Sequence, residues 1–483
     1  MSKEWGVEPK QAEILDELEK SIEKSIPCVD KIDWNTFGVK IDGINVIGLG
    51  FYDCGLTIFP ESFGQLESLQ ELSFGKSSLT CNTLTTLPES FGNLKSLKEL
   101  TLNDTELTTL PESFGDLKSL QTLILLSWEL ITLPESFKEL KSLEYLDLSY
   151  NKLKTLPESF KELKSLQKLF LKNTKLTTLP ESFGKLESLK TLILSQNQLN
   201  TLPESFGDLK SLQYLSLWDA QLMTLPESFG DLKSLEYLNL YDNKLNNLPE
   251  SIGQLVSLQK LSLEKSSLAT LPESFGQLVS LQELTLKDTY LTSLPDSFGD
   301  LKSLRKLTLT NTPLTTLPES FGQLESLQEL TLHHTELTTL PESFGGLKSL
   351  QELTLHHNEL KTLPESFGDL KSLQTLSLYH NQLITLPESI GDLKSLEILN
   401  LTSNKLTTLP ESIGDLKSLQ KLFLRDNQLT TIPESLLNLS NLKDMLIQFP
   451  YEGPLNPLNA HAMTILENLR QRVWVDGTKS IKK

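Results

Sequence analysis

Leu363-Pro364-Glu365-Ser366-Phe367-Gly368-Asp369-Leu370-Lys371-Ser372-Leu373-Gln374-Thr375-Leu376-Ser377-Leu378-Tyr379-His380-Asn381-Gln382-Leu383-Ile384-Thr385 is followed at once by an edited copy of itself that begins Leu386-Pro387-Glu388-Ser389. The proline of this signature recurs every 23 residues from Pro88 through Pro111 and Pro134 to Pro433, and an earlier copy, Pro60, lies 28 residues before Pro88. A fixed period of this length marks a solenoid, in which each copy is one supersecondary unit stacked on the next.

Within one copy Leu376 and Leu378 stand two apart, so they share one face of a short strand, and Thr375, Ser377 and Tyr379 take the other. Leu373 and Leu383 turn inward from the flanking bends. Pro387 opens the next stretch; proline suits the first turn of a helix or 3-10 segment, where its missing N–H is not needed. Glu388 suits the positive end of that segment. Ile390 and Leu393 then share its inner face. One coil cannot bury its leucines alone. Stacked coils make a parallel sheet on one side, a helical or 3-10 layer on the other, and a continuous leucine core between them. The fold class expected is therefore α/β: a right-handed curved solenoid with the sheet concave and the short helical or 3-10 segments convex. Phe91, Phe114, Phe137, Phe160, Phe183 and Phe206 share one repeat position and are expected to stack as a buried spine.

Each coil also places a polar residue between core positions. Asn151, Asn197, Asn243, Asn358, Asn381, Asn404 and Asn427 are expected to turn inward and bond the backbone of their own and the neighbouring coil. Thr105, Thr174, Thr289, Thr312 and Thr335 replace asparagine in other coils and can do part of that work. Trp128 and Ala220 cannot, so altered bends are expected there.

This pattern resembles that of leucine-rich repeat proteins. The 23-residue Leu-Pro-Glu-Ser-Phe-Gly-x-Leu-x-Ser-Leu form looks like the Ras-group and plant intracellular Ras-group-related subset and its prokaryotic relatives. The resemblance implies a non-catalytic scaffold that binds a protein partner on its concave face, with a role in signalling and a small GTPase as a candidate partner.

Residues 1–45 read as an N-terminal cap of helix plus hairpin, because an open solenoid end exposes its leucine core. Ile14, Leu15, Leu18, Ile22 and Ile26 fall on one face of a helix over residues 9–26, and Asp42-Gly43 signals the hairpin. Residues 46–450 hold about 17 repeats, the second lengthened around Thr80 to Leu84. A closing cap helix starting at Asn456-Pro457 is expected within 451–475, and a disordered basic tail over 476–483.

The net charge of −19 comes largely from the repeated signature acids, which read as a solvated outer stripe. No basic face suits nucleic acid. No run of 18 apolar residues exists to span a membrane. Cys28, Cys54 and Cys81 are an odd, scattered set near one end, and the long stretch without another cysteine argues against a disulfide framework. With no apolar leader at the start of the sequence, the expectation is a monomeric cytoplasmic protein. The repeats carry no phosphate loop, metalloprotease helix, paired-cysteine motif or nucleophile elbow. No cofactor is expected. The alternative to a scaffold is a metal-dependent or other enzyme using concave-face residues.

Two stretches of the outward strand face depart from the rest. From residue 120 to 243 one flank gives Tyr145, Tyr214 and Tyr237, and the middle row gives Ile124, Phe170 and Ile193 with Asp147 between them. The other flank gives Leu126, Trp218 and Tyr241, with Tyr150 just beyond. Single surface aromatics are ordinary. A contiguous set marks an interaction site, and the partner-binding residues expected are Trp218, Tyr241, Tyr214, Tyr237, Phe170, Tyr145 and Ile193. The second stretch holds five of the six histidines: His333, His334, His356, His357 and His380. His334, His357 and His380 share a repeat position about 5 Å apart on adjacent strands, so they are candidate ligands for one metal. Duplication of two nearly identical coils, or plain partner contact, explains the same pattern. Either way, positive charge is expected here below about pH 6.5.

Overall fold

The computed structural model describes residues 5–75, 84–447 and 458–475. They belong to two compact units, Met1–Asn243 and Lys244–Lys483.

The first unit opens with helix α1 (Pro9–Ile22), which buries Ile14, Leu15, Leu18 and Ile22. The helix stops short of residue 26 because Glu23 turns left-handed at φ 54°. Ile26 is buried nonetheless. Strands β1 (Phe37–Asp42) and β2 (Asn45–Tyr52) form an antiparallel hairpin that places Asp42 opposite Asn45. Gly43 closes the turn at φ +58°, a conformation open to glycine without steric cost. The Val46 N–H donates to Gln11 Oε1 at 2.7 Å and Ser62 Oγ donates to Glu17 Oε2 at 2.6 Å, so α1 is tied to both the first strand and the first outer turn.

From β2 onward the pairing is parallel, through Glu71–Gly75, Glu99–Asn103, Thr122–Leu126, Tyr145–Asp147, Lys168–Phe170, Thr191–Ile193, Tyr214–Ser216 and Tyr237–Asn239. Equivalent residues sit side by side: Leu146 is flanked by Leu123 and Leu169. Leu146, Leu148, Leu153, Leu163 and Leu166 of a single coil are fully buried, and each contributes roughly 1.5–3 kcal/mol.

Short 3-10 segments such as Glu112–Asp116 form the outer layer. Their proline stands one place earlier than the sequence suggested. Pro111 is extended (φ −66°, ψ 155°), and its carbonyl accepts the Phe114 N–H at 3.0 Å. The phenylalanine spine is present: the Phe91, Phe114, Phe137 and Phe160 rings follow one another at 6.2–6.3 Å, nearly parallel and at most 1% exposed. The signature acids do more than solvate the surface. Glu89 Oε2 accepts the Ser113 N–H of the next coil at 3.3 Å, and Glu112, Glu204, Glu250, Glu273, Glu319 and Glu388 repeat the contact.

The asparagines cross-link coils as expected. Asn197 Nδ2 donates to the carbonyls of Leu171 and Leu194 at 2.8 Å, and its Oδ1 accepts from Thr174 Oγ1 at 2.9 Å and from the Leu176 N–H at 3.0 Å. Thr174 and Thr289 donate to a carbonyl of their own coil, whereas the buried hydroxyls of Thr105 and Thr312 have no hydrogen-bond partner. At the altered bends, Ser127 takes the inward place instead of Trp128; its Oγ donates to the Leu107 carbonyl at 3.1 Å and accepts the Leu130 N–H at 3.1 Å. Trp128 swings outward at φ 66°. Ala220 stays inward and fully buried, followed by a second left-handed residue, Gln221 at φ 67°.

The second unit continues with parallel strands from Lys260–Ser262 to Lys421–Phe423 and Asp444–Leu446. It ends in helix α2 (Ala460–Arg470), which buries Ala462, Ile465, Leu466 and Leu469. The helix is capped by Asn459, whose Oδ1 accepts the Ala462 N–H at 2.8 Å. Asn456-Pro457, where this helix was expected to begin, lies outside the described residues, as do residues 76–83, which include Cys81 and most of the lengthened stretch of the second repeat, and residues 476–483. A last parallel strand, Trp474–Val475, pairs with Asp444–Leu446 and had no counterpart in the expected pattern.

Candidate functional site

The solvent-facing side of the first unit's sheet carries the aromatic residues in three rows. Their spacing follows from the parallel register, which sets equivalent positions beside one another. Tyr214 and Tyr237 are register neighbours, and their rings lie parallel, 4.3 Å apart. Tyr145 packs on Phe170 at 5.2 Å. Phe170 pairs in register with Ile193 on one side and Asp147 on the other. Lys172 sets its Nζ 5.3 Å from the ring centre of Trp218 and 5.5 Å from that of Tyr150. The Tyr241 N–H donates to Asn239 Oδ1 at 2.9 Å. Tyr214 is 37% exposed, and Trp218, Tyr241, Tyr237, Phe170, Tyr145 and Ile193 are half-buried.

This surface also holds polar groups at a cost. Burial pushes the Tyr214 phenol up to about 12, helped by its hydrogen bond with Tyr237. Burial raises the Tyr145 phenol, with the Asp147 charge adding to it. Burial also raises the Asp147 carboxyl, against hydrogen bonds from Ser149. One of those comes from the Ser149 N–H to Asp147 Oδ1 at 2.9 Å.

Trp128 was not among the expected site residues. At 49% exposure it is the most open aromatic of this stretch, and its ring lies 4.9 Å from that of Tyr150. It also borders a cleft of about 880 Å³ lined by Asp104, Glu106 and Glu129. The sign of it in the sequence was the asparagine missing at that position.

In the second unit the histidines form a ladder. His333, His356 and Tyr379 stack at 4.4 and 4.2 Å. His334, His357 and His380 stack beside them at 4.3 and 4.4 Å, each in a left-handed bend. The column His334, His357 and His380 does not converge on one point, because two stacking steps separate its outer rings. The histidines whose nitrogens do converge, all within 4.8 Å, are His333, His334 and His356. Burial lowers His333, takes His356 down to about 4 and lowers His357, with neighbouring histidines adding to each effect. Positive charge on these three rings therefore arrives below the pH 6.5 expected from an unperturbed imidazole, and at His356 only near pH 4.

The leucine-rich repeat region model matches overlapping stretches from 89–170 to 297–396, and the leucine-rich repeat model matches 395–416 and 418–439. This chain belongs to the leucine-rich repeat family. A leucine-rich repeat protein of Leptospira interrogans is 35% identical, with a TM-score of 0.65 over 82% of this chain and 100% of that one. The plant peptide hormone receptor RGFR1, solved in complex with RGF2, is 25% identical, with a TM-score of 0.60 over 89% of this chain and 77% of that one. PEPR1, solved with AtPEP1, is 25% identical, with a TM-score of 0.62 over 92% and 72%. No curated protein matches the sequence. Leucine-rich repeat folds serve as interaction scaffolds, and the outward strand positions are those the fold leaves free. Among the described residues no helix is long and apolar enough to cross a membrane.

Proposed function

We propose that this leucine-rich repeat protein is a non-catalytic scaffold that binds a protein partner on the solvent-facing side of the first unit's sheet. The observation that carries the reading is the set of aromatic side chains this face gathers between Tyr145 and Tyr241, with Tyr145 packed on Phe170 and Tyr214 stacked on Tyr237. The repeat does not require it: the corresponding middle row of the second unit runs Ser262, Thr285, Thr308, Thr331, Thr354, Ser377 and Asn400 before Phe423 and Leu446 close it. Contiguous apolar surface of this kind marks interaction sites, and tyrosine and tryptophan dominate binding hot spots. The similar plant peptide hormone receptor RGFR1 was solved in complex with RGF2, which supports a protein or peptide ligand here.

In this reading Trp218, Tyr241, Tyr214 and Phe170 are anchors, with Tyr237, Tyr145 and Ile193 completing the surface. Asp147, the acidic group of the middle row, would receive a basic group of the partner. The chain acts as a cytoplasmic monomer, and the resemblance of its repeats makes a small GTPase one partner to try. The test is quantitative binding of the partner to wild type and to W218A/Y241A. A loss of at least about 2 kcal/mol, roughly 30-fold, is expected.

A further inference from the structure

The second unit holds a separate cluster with no structural task in the repeat. His333 and His356 follow the strands Glu329–Thr331 and Glu352–Thr354, where parallel register sets them side by side. Their rings lie 4.4 Å apart and 11° from parallel. His334 occupies the bend, at φ 54°. The bend turns its ring edge-on to both neighbours, at 78° and 5.3 Å to His333 and at 89° and 5.9 Å to His356. His333 and His356, being nearly parallel, reach a common point in their ring planes once one of them rotates, and His334 already lies across both.

The three nitrogens already lie within 4.8 Å of one another. An ion held tetrahedrally at about 2.0–2.1 Å from each would need them roughly 3.3 Å apart. Side-chain rotation can close that gap. His334 is exposed, and Nδ1 of His333 and of His356 is buried without a hydrogen-bond partner. No protein acceptor at Nδ1 therefore anchors either ring. An all-imidazole donor set suits zinc, nickel or copper rather than magnesium or calcium. Glu329, on the strand that leads to His333, is engaged by Lys306.

We propose that His333, His334 and His356 bind one divalent transition-metal ion of the zinc and nickel class through three imidazole nitrogens. The remaining coordination position stays open to water or to a side chain of a bound protein. Three protein ligands with an open position distinguish such a site from a closed structural one. The site shares no residue with the aromatic surface, so either assignment can fail without the other.

The test uses the full chain, stripped of metal by chelation and dialysis and titrated with zinc chloride by calorimetry. Wild type should bind one equivalent. H334A and H356A should each weaken binding at least about tenfold, and H333A/H334A/H356A should remove it. H357A/H380A should stay within about threefold of wild type. Cobalt(II) in place of zinc should give visible absorption bands that the triple variant lacks. Circular dichroism establishes that each variant is folded. Equal zinc binding by wild type and the triple variant would overturn the assignment, as would no binding by folded wild type or a loss confined to H357A/H380A.

Discussion

Lys172 places its ammonium 5.3 Å from the ring centre of Trp218, two coils further along the chain. The two belong to one outward row, and the residue between them is Ser195, small and fully buried. A larger side chain there would separate them. Lys172 is thus clamped between Trp218 and Tyr150, and a cation over an exposed ring is worth about 0.5–1 kcal/mol. Lys172→Ala should free the Trp218 indole, changing its fluorescence, and should weaken partner binding by about that amount. A double-mutant cycle with Trp218→Ala measures the coupling, and a coupling of zero would mean that the clamp does not organise the site.

Asn197 serves two coils at once through six buried hydrogen bonds. Asn197→Ala leaves the Leu194 carbonyl and the Leu176 N–H unpaired, while the Leu171 carbonyl keeps the Thr174 hydroxyl. A cost of about 3 kcal/mol follows from stranding these buried groups. Urea denaturation should show the midpoint falling.

The Phe114 ring fills the outer layer between Phe91 and Phe137. Phe114→Ala should cost about 3–5 kcal/mol through the cavity it leaves. Phe114→Ile should cost much less, because Ile252, Ile390 and Ile413 fill the same position in other coils and are fully buried. Thermal unfolding of the two variants side by side makes the comparison.

The Tyr214 phenol is pushed up to about 12 from an ordinary value of 10, first by burial and then by Tyr237. The folded state resists forming the phenolate, so the unfolded chain loses this proton first. The associated stability is complete below pH 10 and is lost as pH rises from 10 to about 12. Phenolate absorbance during alkaline titration should show a late step near pH 12 that Tyr214→Phe lacks. Titration of all tyrosines together near pH 10 would mean that the stacked pair is open to water.

The repeat was legible because its shared residues are the ones the stack demands. Leu146 and Leu148 alternate with outward positions, and Asn151 lies where the bend must satisfy carbonyls. The ends were less legible. α1 stops at Ile22 although Ile26 keeps the helical spacing, since burial can be reached from the following loop. Trp474–Val475 is a strand of two residues, too short to show a period. The aromatic rows could be listed from register alone. That Tyr214 would be the open member and that Trp128 would join them depended on side-chain packing and on a one-residue shift at Ser127. For the histidines, too, the sequence offers a column but not the packing. Repeat position names a column, but ring convergence depends on the left-handed bend at His334 and on side-chain torsions.

The most direct test of the binding surface begins with a photo-reactive amino acid at Asn239, in the middle row, to capture and identify the partner. The dissociation constant is then measured for wild type and W218A/Y241A. The surface described here requires a loss of at least about 30-fold, with the folding free energy changed by about 1 kcal/mol or less, since both side chains are half-buried and outside the leucine core. Unchanged affinity in a correctly folded W218A/Y241A protein would contradict it.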